Sequence, residues 1–344
     1  MICMSRLKVF AVFLFLLSFS LLASQVWAHT PLSPIGEIHS LDTAYEVPNP
    51  TKSWTLYREL HHEGEAEYYK LHLEAGERLR ISLYTKDIQG NFSPHLVVMS
   101  EDLAPTDEAP SSIEKPEGFG AILIAPSTPQ NREYEPFTPA SYYYLIDVDE
   151  PISEHGDYYV VVFEPNMEEG KYGIAIGYKE EFTISEWLLI PFDLIRIHEW
   201  EGQSLIGIIA PLLLTLVVGL FILVWKAVIK LNLFNMIALT AGLLYVGSGL
   251  MIFMQMIIAL AGAPFNFAVV LTVIFVAMPL ILGYFLVRKV ILLKGELSTK
   301  DRVIFVVFGI AGLFTWSGLI IGPALAMFSG LFPKKMLKKE TIKQ

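Results

Sequence analysis

The chain has 344 residues, of which 53% are hydrophobic and 17% are charged. A soluble domain is close to half apolar and a quarter charged, so this composition predicts membrane-spanning segments. Residues 29–203 hold 11 Lys and Arg against 32 Asp and Glu, whereas residues 204–344 hold 12 against 3. This distribution excludes a nucleic-acid-binding protein, because the acidic part outside the membrane cannot neutralise phosphates.

Residues 1–28 have the pattern of a secretory signal peptide. Two basic residues precede an apolar run, and Val26 and Ala28 supply the small residues of a cleavage site. Cleavage after Ala28 is the favoured interpretation and an uncleaved anchor is the alternative. Both place the residues that follow outside the cytoplasm. Cys3 is the single cysteine of the chain and lies in this segment, so no disulfide is predicted beyond it.

Residues 29–180 are predicted to form an all-β extracytoplasmic sandwich or jelly roll. Short runs of aromatic and β-branched residues are separated by Gly, Pro, Asp and Asn, which is typical of strands joined by turns. Eight such runs without a helical pattern between them favour two packed sheets. The predicted strands are 53–59, 66–73, 78–84, 95–100, 119–124, 141–148, 157–164 and 170–177. Two polar, Pro-rich segments, 101–118 and 125–140, are predicted to be long surface loops.

Two stretches of this region carry a resemblance to a known family. They are GEAEYYKLHLEAGERLRISLYTKDIQGNFSPHLVVMS, from Gly64 to Ser100, and EHGDYYVVVFEPNMEEGKYGIAIG, from Glu154 to Gly177. The acidic residue before two tyrosines, the Ala-Gly between two strands and the closing hairpin resemble the pre-peptidase C-terminal domain, over roughly residues 63–177. The resemblance implies a small extracytoplasmic β-sandwich and says little about activity, because such domains are attached to many different proteins. The insertion at 101–140 departs from the compact family pattern and leaves the order of the middle strands open.

Residues 181–203 are predicted to form a short interfacial helix. Trp187 and Trp200 bracket an amphipathic run, and Trp is enriched where water meets lipid. Ser185 is the predicted N-cap, and Pro191 is predicted to break or turn the helix. A helix packed against the β domain is the alternative.

Residues 204–331 are predicted to form an α-helical membrane domain of four spans, because about 20 apolar residues cross the hydrocarbon core. The spans are placed near 204–226, 234–261, 266–290 and 302–331. With the β domain outside, both internal loops are basic, as the positive-inside rule requires. The basic tail, residues 332–344, departs from the rule, because four single spans place it outside. The side of the tail therefore stays open.

The predicted spans offer no chemistry of their own. Their apolar stretches contain no histidine, and no charged residue away from their ends. Ion paths, proton relays and substrate sites in membranes need ionisable groups, so a transporter, pump or cytochrome is disfavoured for this chain alone. No Walker, dinucleotide-binding or nucleophile-elbow motif is present. We therefore predict no enzyme and no cofactor.

One candidate metal site lies in the exported region. Cleavage after Ala28 makes His29 the first residue, and a terminal amine beside an imidazole supplies part of a Cu(II) site. His39, His61 and His62 are the candidates that complete it. Solvated imidazoles are the alternative interpretation.

Two further candidates depend on local sequence. Asp147 and Asp149 share a strand face and lie beside Glu150, and clustered carboxylates bind Ca²⁺ through oxygen ligands. An accidental cluster is the alternative in so acidic a region. Asn91 begins an Asn-Phe-Ser sequon, which predicts a glycosylation site.

The sequence predicts a non-enzymatic, multi-pass protein of the cell membrane with residues 29–203 outside the cytoplasm. It presents the acidic β-sandwich for ligand or partner binding and for membrane-complex assembly. Four helices exceed what an anchor needs, so the predicted partners are membrane lipid and a second copy or another membrane protein. The alternatives are a copper-handling accessory protein centred on His29 and a non-catalytic subunit of a larger membrane enzyme or transporter.

Overall fold

The structure, a computed structural model, describes most of the chain. The described residues are 29–61, 64–88, 92–103, 109–225, 232–293 and 297–331. The predicted signal peptide 1–28, His62, Asn91 and the tail 332–344 lie outside these residues. What the sequence predicts for them stays a prediction.

Contacts between residues divide the chain into two units. The first, the β unit, contains the described residues within Met1–Leu83, Phe92–Pro126 and Ile146–Phe182. The second, the helical unit, contains those within Tyr84–Asn91, Ser127–Leu145 and Thr183–Gln344. Two internal segments of the predicted β domain therefore belong to the helical unit.

The described residues form eleven strands in two sheets. The bounds are β1 Thr30–Pro31, β2 Tyr45–Glu46, β3 Trp54–Leu60, β4 Ala66–Leu73, β5 Arg78–Thr85, β6 His95–Ser100, β7 Gly120–Ile124, β8 Glu133–Glu135, β9 Ala140–Pro151, β10 Gly156–Phe163 and β11 Gly170–Ile176. All eight predicted strands are confirmed to within three residues at each end. The short strands β1, β2 and β8 were not predicted.

The strand order is β1-β3-β11-β5-β9-β8 in one sheet and β2-β4-β10-β6-β7 in the other. The sheets pack face to face, since the hydroxyls of Tyr69 on β4 and Tyr172 on β11 lie 2.7 Å apart. Alternation explains which side chains face inward: Leu79, Ile81 and Leu83 of β5 are buried. The predicted β-sandwich is thus confirmed as an architecture.

The described residues of the segment 101–118 form no helix or strand and are exposed or partly exposed, as predicted for a surface loop, with Ile113 as the exception. Ile113 is 7% exposed and packs in a cluster with Val97 and Met99 of β6 and Val161 of β10. This buried side chain holds the described part of the loop against the second sheet. In return, the loop covers apolar side chains of that sheet that would otherwise be exposed to water.

Six helices follow the strands. Their bounds are α1 Ile184–Trp200, α2 Leu205–Trp225, α3 Leu233–Gly262, α4 Val269–Ile291, α5 Thr299–Phe314 and α6 Ile321–Leu331. Among the described residues, α2, α3 and α4 are long and apolar enough to cross a membrane. They correspond to the first three predicted spans and indicate a membrane protein.

The predicted fourth span, 302–331, is wrong as a single crossing helix. At 1.5 Å per residue α5 is about 24 Å long and α6 about 17 Å, and each is shorter than the roughly 30 Å hydrocarbon core. They lie side by side and antiparallel, since Arg302 Nη1 donates to the carbonyl of Gly330 at 3.2 Å. Gly309 allows this approach, because a Cβ there would lie 2.2 Å from Cγ of Met327.

A tight turn separates the two helices. Trp316, Leu319 and Ile320 all have positive φ angles, of 48°, 54° and 66°. Such angles are costly for large side chains and persist where surrounding contacts fix them. The amide of Gly318 supplies one such contact by donating to Ser248 Oγ at 2.8 Å.

Helix α1 confirms the predicted junction helix but corrects both of its predicted details. Its N-cap is Thr183 and not Ser185, because Thr183 and Glu186 form a capping box. Pro191 lies inside the helix without breaking it. Proline has no N–H to donate to the carbonyl of Trp187, and Trp316 Nε1 donates to that carbonyl instead, at 2.9 Å.

Candidate functional site

A buried carboxylate organises one end of the helical unit. The side chain of Glu201, just after α1, is 2% exposed. Lys86 Nζ and His198 Nδ1 each lie 3.0 Å from its Oε2 atom, and the hydroxyl of Tyr142 donates to Oε1 at 2.7 Å. Lys86, just after the end of β5, Tyr142 on β9 and His198 near the end of α1 thus meet at one charged group.

Two amides extend this site into an apolar span. Gln203 and Gln255 exchange two side-chain hydrogen bonds of 2.9 Å, and Gln203 also donates to Glu201 at 3.3 Å. Gln255 lies within α3 and is 3% exposed. The reciprocal pair satisfies an amide that would be costly to leave unpaired among apolar groups. We call the set the Glu201 cluster; its members are Lys86, Tyr142, His198, Glu201, Gln203 and Gln255.

Opposing effects set the charge state of Glu201. Burial alone raises the pKa of its carboxyl group. The hydrogen bond and charge of His198, the ammonium of Lys86 and the hydroxyl of Tyr142 outweigh burial and lower the pKa to about 2. Glu201 is therefore ionised at neutral pH, and its contribution to folding is lost only as the pH falls from its ordinary value towards 2.

We predict that Glu201→Gln destabilises the helical unit. The substitution leaves Lys86 and His198 facing a neutral amide, and breaking a buried ion pair on one side costs about 3 kcal/mol. Thermal unfolding of the full chain in detergent measures the effect. The exposed Glu199, two residues earlier, provides the matched Glu199→Gln control and should change the midpoint little. Equal midpoints for the two variants would contradict a structural role of the cluster.

The segment 134–137, which includes the end of β8, is fixed to α4. The hydroxyl of Tyr134 donates to Thr272 Oγ1 at 2.8 Å, and Thr272 Oγ1 donates to the carbonyl of Pro136 at 2.7 Å. The ring of Phe137 lies 5.7 Å from that of Phe275. The predicted surface loop 125–140 therefore contains a segment buried against helices.

Within this segment, Glu135 is placed where a negative charge is unfavourable. Burial raises the pKa of its carboxyl group to about 7, although the N–H of Phe137 donates to Oε1 at 3.1 Å and partly offsets burial. A carboxyl group whose pKa is raised on folding is neutral below its ordinary pKa in both states. It destabilises the folded state as the pH rises through about 7.

We predict that Glu135→Gln removes a pH dependence. The amide oxygen of Gln keeps the hydrogen bond from Phe137 but never ionises. The variant should unfold at the same temperature as the native chain near pH 4.5 and at a higher temperature at pH 8. Glu133→Gln, at an exposed position of the same strand, is the control. A constant difference across this pH range would show that ionisation of Glu135 is not the cause.

The β unit contains a separate buried polar group between its sheets. The side chain of Glu67 is 1% exposed, and Arg58 Nε lies 3.0 and 2.9 Å from its two oxygens. Tyr69 and Tyr172 both donate to Oε2. Arg58 on β3 and Tyr172 on β11 belong to the other sheet, so their contacts with Glu67 join the two sheets, whereas Tyr69 lies on the same strand as Glu67.

The three described histidines of the predicted copper site, His29, His39 and His61, have different surroundings. His29 Nδ1 contacts Ser53 Oγ, and burial, followed by the charge of Arg80, lowers the pKa of His29 to about 4. His39 Nε2 lies 2.7 Å from Glu65 Oε1. The backbone N–H of His61 donates to Glu65, and His62 lies outside the described residues.

The predicted calcium ligands are paired with arginines. Arg78 and Arg80 on β5 form ion pairs of 2.6 Å with Asp149 and Asp147, and Glu150 is exposed. Within the described part of the chain, one set of three metal-ligating side chains comes together, and it is His39, Glu65 and Glu67. Neither His29 nor the predicted calcium ligands belong to it.

Most of the Glu201 cluster was missed by sequence reasoning. Nothing in the sequence distinguishes Lys86, just after β5, or Tyr142 on β9, and they meet Glu201 only because of the fold. Two signals were available: Gln255 is a large polar residue within an apolar span, and His198 lies within the apolar run of α1. Comparison with models of protein families finds no match, and no curated protein matches the chain.

Proposed function

We propose that this is a non-enzymatic, multi-pass membrane protein that presents an acidic β-sandwich outside the cytoplasm and assembles with partners through its helices. The observation that carries the proposal is that residues 84–88 and 127–145 belong to the helical unit. The Glu201 cluster and the segment 134–137 hold them there by buried polar and aromatic contacts. A simple anchor needs one span and no such contacts.

The hairpin of α5 and α6 supports this orientation. Because Gly330 lies beside Arg302, the chain leaves α6 at the end where it entered α5. We therefore expect the five lysines of the tail, which is outside the described residues, on the same side as the basic end of α4. All basic segments of the membrane domain are then cytoplasmic, in agreement with the positive-inside rule. The mismatch created by four single spans disappears.

The orientation predicts which positions an impermeant thiol reagent reaches in intact cells. In a Cys3→Ser background, Thr128→Cys, at an exposed position, should be labelled. Lys300→Cys, at the exposed start of α5, and Gln344→Cys should be labelled only after permeabilisation. Labelling of Gln344→Cys alone among the last two would indicate an additional crossing. Labelling of Lys300→Cys but not Thr128→Cys would reverse the orientation.

Helix α2 supports assembly as the role of the bundle. Only 11% of the residues in the apolar stretch of α2 are buried, against 56% of those in the apolar stretch of α3. Leu214 and Val217 are 62% and 67% exposed, so one side of α2 offers large apolar side chains to whatever surrounds the bundle. Helix packing without polar groups is driven by van der Waals contact, for which such a face is suited.

We predict that a photo-crosslinking residue at Leu214 or Val217 forms a discrete protein adduct in native membranes. The same residue at Ile281 on α4, which is 50% exposed, is the control and should react with lipid. An adduct of two copies supports self-association, and an adduct with one other membrane protein supports the role of subunit in a larger complex. Lipid adducts alone at all three positions, with a monomer in detergent, would contradict assembly through α2.

A further inference from the structure

Three side chains with metal-ligating atoms meet in the β unit. One ligand atom each of His39, Glu65 and Glu67 lies within 4.8 Å of the other two. Ligands at about 2.1 Å from a tetrahedral zinc ion are about 3.4 Å apart, so small side-chain rotations are enough to close the set around an ion. Glu65 and Glu67 are on the same short stretch of chain, and His39 comes from the segment before β2.

A cavity gives an ion access to His39 and Glu65, whereas Glu67 lies behind them and is not among the lining residues. Its volume is about 270 Å³, and His39, Glu65, Ser112 and Glu114 contribute to its lining. A water molecule occupies about 30 Å³ of liquid, so the cavity accommodates an ion together with several waters that complete its coordination. Ser112 and Glu114 come from the segment 101–118, which the buried Ile113 fixes to the second sheet.

Low exposure strengthens the attraction of the two glutamates for a cation, although Glu67 already pairs with Arg58. Their side chains are only 5% and 1% exposed, so a charge beside them is weakly screened by solvent. Arg58, Tyr69 and Tyr172 hold the carboxylate of Glu67 in one orientation, as outer partners orient metal-ligating carboxylates. The positive charge of Arg58 opposes a second cation, and we therefore expect modest affinity.

We propose that His39, Glu65 and Glu67 bind a divalent transition-metal ion of the zinc class. The imidazole decides the class of ion, because nitrogen ligands suit Zn²⁺, Cu²⁺ and Ni²⁺, whereas Ca²⁺ and Mg²⁺ take oxygen ligands. This site shares His39 with the copper site predicted from the sequence but needs neither His29 nor a free amino terminus. It is independent of assembly through α2, so either proposal stands if the other fails.

Titration of the full-length chain in detergent with Zn²⁺, followed by calorimetry and thermal unfolding, tests the site. The native chain should bind one equivalent at this site and unfold at a higher temperature when it is loaded. His39→Gln keeps a donor for Glu65 but removes the imidazole, and it should lower zinc affinity at least about tenfold, since even outer partners of ligands contribute that much. Glu65→Gln, a second variant, should do the same.

His72→Ala is the matched control. His72 is an exposed histidine on β4 that pairs with Asp157 and does not belong to the set, so its loss should leave zinc binding unchanged. His29→Ala, measured in parallel, separates this site from an amino-terminal one. Unchanged zinc affinity in His39→Gln would overturn the proposal. Binding of Ca²⁺ as tight as that of Zn²⁺ would overturn it as well, because the imidazole would then not be a ligand.

Discussion

The helical unit depends on one constraint: a charge removed from water must be surrounded by partners that replace water. Glu201 meets it with Lys86, His198 and Tyr142, which come from three separate parts of the chain. Each partner is itself fixed by a strand or a helix, so the carboxylate cannot be satisfied unless those elements are in place. An unpaired buried charge is costly, and the cluster therefore makes the arrangement of its elements cooperative.

The same constraint explains features that would otherwise be defects. Pro191 leaves the carbonyl of Trp187 without its helical donor, and the indole N–H of Trp316 replaces that donor. Trp316 has a positive φ angle, in the turn that separates α5 from α6. A side chain from the turn between α5 and α6 thus replaces the hydrogen bond that Pro191 removes from α1. Irregular backbone is tolerated at membrane depth only where protein surrounds it, and the buried hydroxyl of Ser248 supplies a further partner in this turn.

Local pattern predicted the parts of the fold that local forces decide. The eight strands and the spans α2 to α4 follow from side-chain alternation and from apolar length, and the structure has them at nearly the expected residues. The turn at 315–320 was not predicted, because Thr315, Ser317 and Gly318 are only a short interruption of an apolar stretch. The turn is stabilised by contacts with α1 and α3. The proposed ligand set of His39, Glu65 and Glu67 was also only partly predicted, because it too depends on contacts between distant parts of the chain. The histidine is visible in the sequence, but its carboxylate neighbours are selected by the pairing of strands.

The hairpin also changes how the charge pattern is understood. Four single spans make the basic tail an exception, and exceptions to the positive-inside rule are costly, since lysine-rich segments resist export. In the proposed orientation, the return of α6 beside α5 removes the exception without moving the other spans, and a Cβ at Gly309 or Gly330 would come within 2.6 Å of the neighbouring helix. The glycines at the contact between α5 and α6 and the basic residues of this region therefore fit the same proposed orientation. The small residues let α6 pack back against α5, and in the proposed orientation this return keeps the basic segments on one side of the membrane.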